Sequence, residues 1–344
     1  MVNSEGYLTI TMKKILKYSL GFAFMAIAAY LVGPKPPKPR LLDIPIELPD
    51  SLTALEQLIN KEEKATVGIR PDCEARIIWA DSSKKEKTNL AFLYIHGFSA
   101  SQEEGDPVHT NLAKKYGANL YLARLAGHGI DLGDNTMKDL TTDDLIVSAE
   151  KALAITKKLG KEVVIVSTSF GSALTLYLAS KHPEMKAIVL YSPCIKIFDP
   201  KAELLDNHWG LQLAKLVTGS EIRDFKPYNA NHQKYWSTHY HLNGAIALQN
   251  FLTNVMTPET FAQVTCPTFV GYYYRNEKEQ DNVVSVKAIL EMYEKLGVAP
   301  HNKRLVNFPK AGYHVIASYV LSNDIEGVEQ QTTSFLNEVV GLKP

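Results

Sequence analysis

Short continuous apolar runs, rich in valine, isoleucine and aromatic residues, recur at positions 90–95, 119–123, 162–167, 186–191, 267–274 and 303–308. Runs of this length, bounded by turn residues, read as strands buried on both faces. A shorter run at 76–80 reads as another strand, ahead of a charged turn at 82–89. Between the runs the period changes. Apolar positions fall on one helical face over 106–116, 141–159, 170–182, 284–297 and 324–340. Residues 52–64 give a further helix, entered through Pro49-Asp50 with Ser51 as N-cap. Strand and helix in alternation predict an α/β fold: a mostly parallel sheet, right-handed crossovers and helices on both faces. The alternation stops over 193–266, where helical periodicity returns only around 202–217 and 242–256. Trp209, Tyr228, Tyr235, Trp236 and Tyr240 gather there. That stretch reads as an insertion between two halves of one core, 41–192 and 267–344.

The N-terminal 40 residues follow a different pattern. Lys13, Lys14 and Lys17 precede an uncharged apolar run over 18–32, and Pro34, Pro36, Pro37 and Pro39 follow it within a basic stretch ending at Arg40. A helix apolar all round needs lipid or a deep core, so the run predicts a signal peptide or an uncleaved signal anchor. The prolines make an extended spacer. Basic residues on both flanks set no orientation. The expected location is exported or membrane-anchored: the periplasm or inner membrane in a bacterium.

Composition narrows the function classes. Lysine plus arginine equals aspartate plus glutamate, 37 each, so no overall field favours nucleic acid. Cys73, Cys194 and Cys266 are too few and too widely spaced for a disulfide framework or a zinc site. His232, His239 and His241 lack a carboxylate at helical spacing and read as structural, so no metal and no cofactor is expected.

The candidate chemistry begins at Ser167-Thr168-Ser169-Phe170-Gly171, between the run at 162–167 and a helix. A sharp turn there lifts the Ser169 hydroxyl above the sheet and aims the first free helix N–H groups at the same spot. Such a turn needs small residues on both sides, and Ser167 and Gly171 supply them. The strand at 90–95 ends in His96-Gly97-Phe98, whose bend turns the Phe98 N–H toward the serine. With the Phe170 N–H it makes a two-donor oxyanion pocket. Asp281 follows the strand candidate at 267–274, and His314 follows the one at 303–308. Ser169, Asp281 and His314 thus stand in the order nucleophile, acid, base. Glu277, Glu279 and Asp199 are the other carboxylates placed to be the acid. His96 and His128 read as loop braces. Glu103, Glu104 and Asp106 read as a solvated acidic loop, or as a clamp for a substrate cation.

From about Arg76 onward the chain resembles α/β-hydrolases of the monoacylglycerol-lipase and esterase type, a group that is also serine-aminopeptidase-like. The resemblance rests on His96-Gly97-Phe98, on Arg124-Leu125-Ala126-Gly127-His128-Gly129, on Ser167 to Gly171, on the Asp281 loop and on Gly312-Tyr313-His314. It departs from the family pattern in Ser167, where glycine is usual, and in the charged approach to Asp281 over 275–280. The resemblance implies an α/β-hydrolase fold with a helical cap inserted after the sixth core strand, over 193–266. It also implies a serine hydrolase of carboxylic esters, leaning toward medium-chain or monoacylglycerol-like substrates. A serine aminopeptidase or amidase on the same fold, or a membrane-tethered binding protein without chemistry, are the other readings.

Overall fold

A computed structural model describes residues 4–41 and 45–344, with side chains except those of residues 4–11 and 13. In chain order, α1 (Ser4–Leu31) and α2 (Leu52–Ala65) precede β1 (Arg76–Ile78), β2 (Thr88–Ile95), α3 (Val108–Lys115) and β3 (Asn119–Leu122). Then come α4 (Thr142–Leu159), β4 (Gly160–Thr168), α5 (Phe170–Lys181) and β5 (Ala187–Tyr191). The next stretch holds α6 (Gly210–Thr218), β6 (Ile222–Asp224), α7 (Ala230–Tyr235), β7 (His239–His241), α8 (Leu242–Val255) and α9 (Pro258–Gln263). The chain closes with β8 (Thr268–Tyr272), β9 (Tyr274–Asn276), β10 (Glu279–Gln280), α10 (Val286–Lys295), β11 (Lys303–Asn307) and α11 (Ile325–Glu338).

Seven strands form one sheet in the order β1-β3-β2-β4-β5-β8-β11. Every neighbouring pair is parallel except β1 with β3. The inner strands β2, β3, β4, β5 and β8 are largely apolar because both faces are covered, while the edge strands β1 and β11 are only half-buried. Ala91, Leu93, Ile95, Ile165 and Leu190 pack toward α2, α4, α5 and α8–α10. Phe92, Tyr94, Val164, Val166, Val189 and Phe269 pack toward α3 and α11. Successive residues of one strand therefore enter different cores, the period of two expected of a pleated backbone.

The helices start where side chains can satisfy their free N–H groups. Ser51 caps α2, as the sequence suggested, and Thr141 with Asp144 forms a reciprocal capping box on α4. The run at 267–274 is not one strand: it breaks after Tyr272, and β9 and β10 form a small antiparallel hairpin ahead of Asp281. The insertion lies between β5 and β8. Counted along this sheet it follows the fifth strand, one earlier than expected, because the sheet has seven strands among the described residues.

Helix α1 contains the apolar run. Its window Lys14–Leu31 is long and apolar enough to cross a membrane, with mean hydropathy 1.3, and none of it is buried. Its last turn meets the insertion, where Trp209 Nε1 donates to the carbonyls of Ala29 and Tyr30 at 3.1 and 3.2 Å. The proline stretch is extended, but it lies against the insertion rather than free of it. The Pro34 carbonyl accepts from the Trp209 N–H at 2.7 Å, and the Pro37 carbonyl accepts from Asn250 Nδ2 at 3.2 Å.

Candidate active site

Ser169 sits between β4 and α5 with φ 55° and ψ −119°, a left-handed backbone that a residue bearing a Cβ adopts only when its surroundings impose it. Its N–H donates to the Tyr191 carbonyl at 2.8 Å, and its own carbonyl accepts from Cys194 and Ser172 at 3.0 Å each. Those bonds pin the turn to the end of β5. Gly171 is obligatory here: a Cβ would stand 2.2 Å from the Ile95 carbonyl oxygen and 2.5 Å from that of His96. Ser167, where glycine is usual, is fully buried and has partners. Its hydroxyl donates to Ser172 Oγ at 3.2 Å, and Ser172 Oγ donates back to the Ser167 carbonyl at 3.0 Å.

Asp281 and His314 come together as the chain order suggested. Asp281 is fully buried beyond β10. Its Oδ1 accepts the N–H groups of Val283 and Val284 at 2.9 and 3.0 Å, and its Oδ2 accepts from His314 Nδ1 at 2.6 Å. The His314 carbonyl is held in turn by the Ser192 hydroxyl at 2.6 Å. His314 Nε2 is buried and has no hydrogen-bond partner among the described residues. Burial pushes this imidazole down, but the charge and hydrogen bond of Asp281, with the charge of Glu104, outweigh it and hold it above its ordinary value. A histidine held this way keeps its proton on Nδ1 and its lone pair on Nε2, the state needed to take a proton from a hydroxyl.

The alternative acids lie elsewhere. Asp199 caps the turn at 200–206, Glu277 accepts from the Tyr274 hydroxyl, and Glu279 faces Arg275 and Asn276. The N–H groups of Phe98 and Phe170 have no protein acceptor among the described residues, and the two rings meet edge to face at 6.5 Å. His96 braces that loop, since its Nδ1 donates to the Gly97 carbonyl at 2.9 Å and its Nε2 accepts the Leu125 N–H at 3.1 Å. Burial first, and then the neighbouring His128, push it down to about 3, so it stays neutral. His128 lies between His96 and Phe98, tilted to the first ring and edge to face with the second, and hydrogen-bonds the Ala126 carbonyl at 2.8 Å. Among the other histidines, His239 bridges Asp224 and Asp134, and His232 packs on Trp236.

A cavity of about 820 Å³ opens above Ser169 and His314, with Trp236, Tyr228, Tyr240 and Phe225 of the insertion on its walls. Trp209, another aromatic of the insertion, does not line this cavity and is instead bonded to α1. One acidic residue departs from the solvated-loop expectation. Glu104 is 2% exposed, lines the cavity and accepts the Gly97 N–H. Burial pushes its carboxyl up to about 7. Sequence polarity gave no sign that the turn at 102–105 folds underneath. The glycine at position 105 was the available signal, because a Cβ there would stand 2.4 Å from the Tyr94 ring.

Comparison with known proteins agrees with this architecture. The thermostable monoacylglycerol lipase of Bacillus sp. (strain H-257) is 31% identical over 112 residues, which span 33% of this chain and 44% of that lipase. The chain thus matches less than half the length of that relative. Among solved structures, one from a study of two metagenome-derived lipolytic enzymes, LipS and LipT, superimposes with a TM-score of 0.62 at 18% identity. It covers 78% of this chain and 99% of its own. A monoacylglycerol lipase of Paleococcus ferrophilus gives a TM-score of 0.55 at 13% identity, over 78% of this chain and 98% of its own. At such identities these likenesses establish the fold. A sequence model described as the alpha/beta hydrolase family matches residues 92–329. With that match covering more than half of its length, the chain belongs to the alpha/beta hydrolase family.

Proposed function

We propose that this protein is a serine hydrolase of carboxylic esters working through an acyl-enzyme. Ser169 attacks the ester carbonyl while His314 Nε2 takes its proton. Asp281 holds the imidazole in the required tautomer and stabilises the cation that forms. The N–H groups of Phe98 and Phe170 receive the oxyanion. His314 then gives its proton to the leaving alcohol, and a water deprotonated by the same nitrogen releases the acid. Residues 193–266 form a cap whose aromatic wall gives the acyl chain an apolar place to lie. Helix α1 holds the protein at a membrane, where such esters are found.

The observation that carries this reading is the 2.6 Å contact between His314 Nδ1 and Asp281 Oδ2, with Nε2 left unpartnered and His314 lining the same cavity as the strained Ser169 turn. Stopped-flow hydrolysis of p-nitrophenyl butyrate tests it. A burst of about one nitrophenolate per enzyme, absent in Ser169→Ala, is the expected result. Linear release of equal rate in both proteins would overturn it.

A further inference from the structure

A buried carboxylate on this cavity has no part in the chemistry proposed above. Glu104 Oε2 accepts the Gly97 N–H, while Oε1 has no hydrogen-bond partner among the described residues. Among the described residues no lysine or arginine pairs with the group, and the side-chain charge acting on it is that of His314. It also lies against the nucleophile. The point where a Cβ on Gly97 would stand is 2.8 and 2.9 Å from the two Glu104 oxygens and 2.9 Å from Ser169 Cβ. The carboxylate and the reacting serine therefore flank the same small space.

An ionised carboxylate in that place is costly twice over. It has lost its water, as its elevated pKa reflects, and it would repel the negative charge that develops on the substrate carbonyl oxygen. A plain acyl chain or alkyl alcohol offers it nothing. A hydrogen-bond donor brought in by the substrate relieves both costs, because it satisfies Oε1 and places positive charge between the carboxylate and the oxyanion.

We propose that Glu104 Oε1 is a recognition point for a hydrogen-bond donor, a hydroxyl or an ammonium, carried by the substrate two to four bonds from the scissile carbonyl carbon. This rests on Ser169 being the nucleophile. The two sources of that donor chemistry sit on opposite sides of the ester. A hydroxyl belongs to a polyol leaving group, and an ammonium belongs to an amino-substituted acyl group. Glu103 and Asp106 are only half-buried and do not line this cavity, so of the acidic loop it is Glu104 that faces a ligand there.

The test uses the full-length protein and two isosteric pairs: 2-hydroxyethyl butanoate against propyl butanoate, and ethyl 2-aminobutanoate against ethyl 2-methylbutanoate. In the wild type, one donor-bearing ester exceeds its plain partner in kcat/KM by about 10- to 100-fold, the range for a hydrogen bond to a charged group. In Glu104→Gln that ratio falls toward one, since a glutamine can keep its oxygen on the Gly97 N–H but turns an NH2 into the cavity. A residue that merely braces the loop would change all four rates together and leave the ratios intact, which overturns the proposal. Turnover of all four esters by the wild type with neither pair distinguished also overturns it, and that result needs no variant. No turnover of any of them overturns the hydrolase reading as well.

Discussion

Replacing Asp281 separates its catalytic work from its structural work. In Asp281→Asn the amide oxygen can still accept from Val283 and Val284, so the loop keeps both backbone bonds. Its NH2 then faces His314 Nδ1, where the carboxylate accepted a proton at 2.6 Å. The ring answers by moving its hydrogen to Nε2, the position that must be bare to activate Ser169. A wrong-tautomer histidine lowers kcat by about 10⁴-fold, or about 5 kcal/mol of barrier, with melting little changed. Asp281→Ala differs in kind. It leaves the Val283 and Val284 N–H groups and the ring without an acceptor, at about 1–3 kcal/mol for each of these that is buried. That variant loses stability as well as rate. Ester hydrolysis and thermal denaturation on the same preparations check both outcomes. An Asp281→Asn enzyme retaining more than about a tenth of wild-type kcat would refute the assignment of the acid.

Other perturbations test other parts. Because His314 is held above its ordinary 6.5, its protonated form persists to higher pH and cannot serve as a base. The acid limb of kcat/KM therefore has its midpoint above 6.5, and removing the Glu104 charge moves that midpoint down; a limb at or below 6.5 in the wild type contradicts the electrostatics. Gly171→Ala forces a Cβ onto the Ile95 and His96 carbonyls, so it lowers melting by the equivalent of about 1–3 kcal/mol or more, read by calorimetry; an unchanged melting temperature would mean the turn is looser than described. Full-length protein resists alkaline carbonate extraction from membranes, whereas Phe24→Arg, at about 2.5–3.5 kcal/mol for a charge in the span, weakens that retention. Release of the wild type by carbonate would rule out α1 as an anchor.

The sheet was legible because its inner strands are buried on both faces, so each of those wrote a largely apolar run bounded by turns. Ser169, Asp281 and His314 were legible for a related reason. Each follows one of those runs, and the carboxyl ends of parallel strands are where such a sheet exposes its chemistry. The approach to Asp281 was opaque because β9 and β10 are short, charged and solvent-facing, with no apolar period to betray a hairpin. The burial of Glu104 was illegible for the opposite reason. Its neighbours in sequence are polar, while its neighbours in space, Gly97 and Ser169, belong to two other segments. Trp209 shows the limit of composition: an aromatic in the insertion can serve its contact with α1 as readily as the cavity.

The most direct test of the central claim is labelling by a fluorophosphonate, which bonds only to a serine activated by its base and held beside oxyanion donors. Wild type is predicted to label stoichiometrically, with the adduct on the Ser169 peptide by mass spectrometry, and Ser169→Ala to stay unlabelled. A folded wild type that does not react, or an adduct on any other serine, would contradict the account.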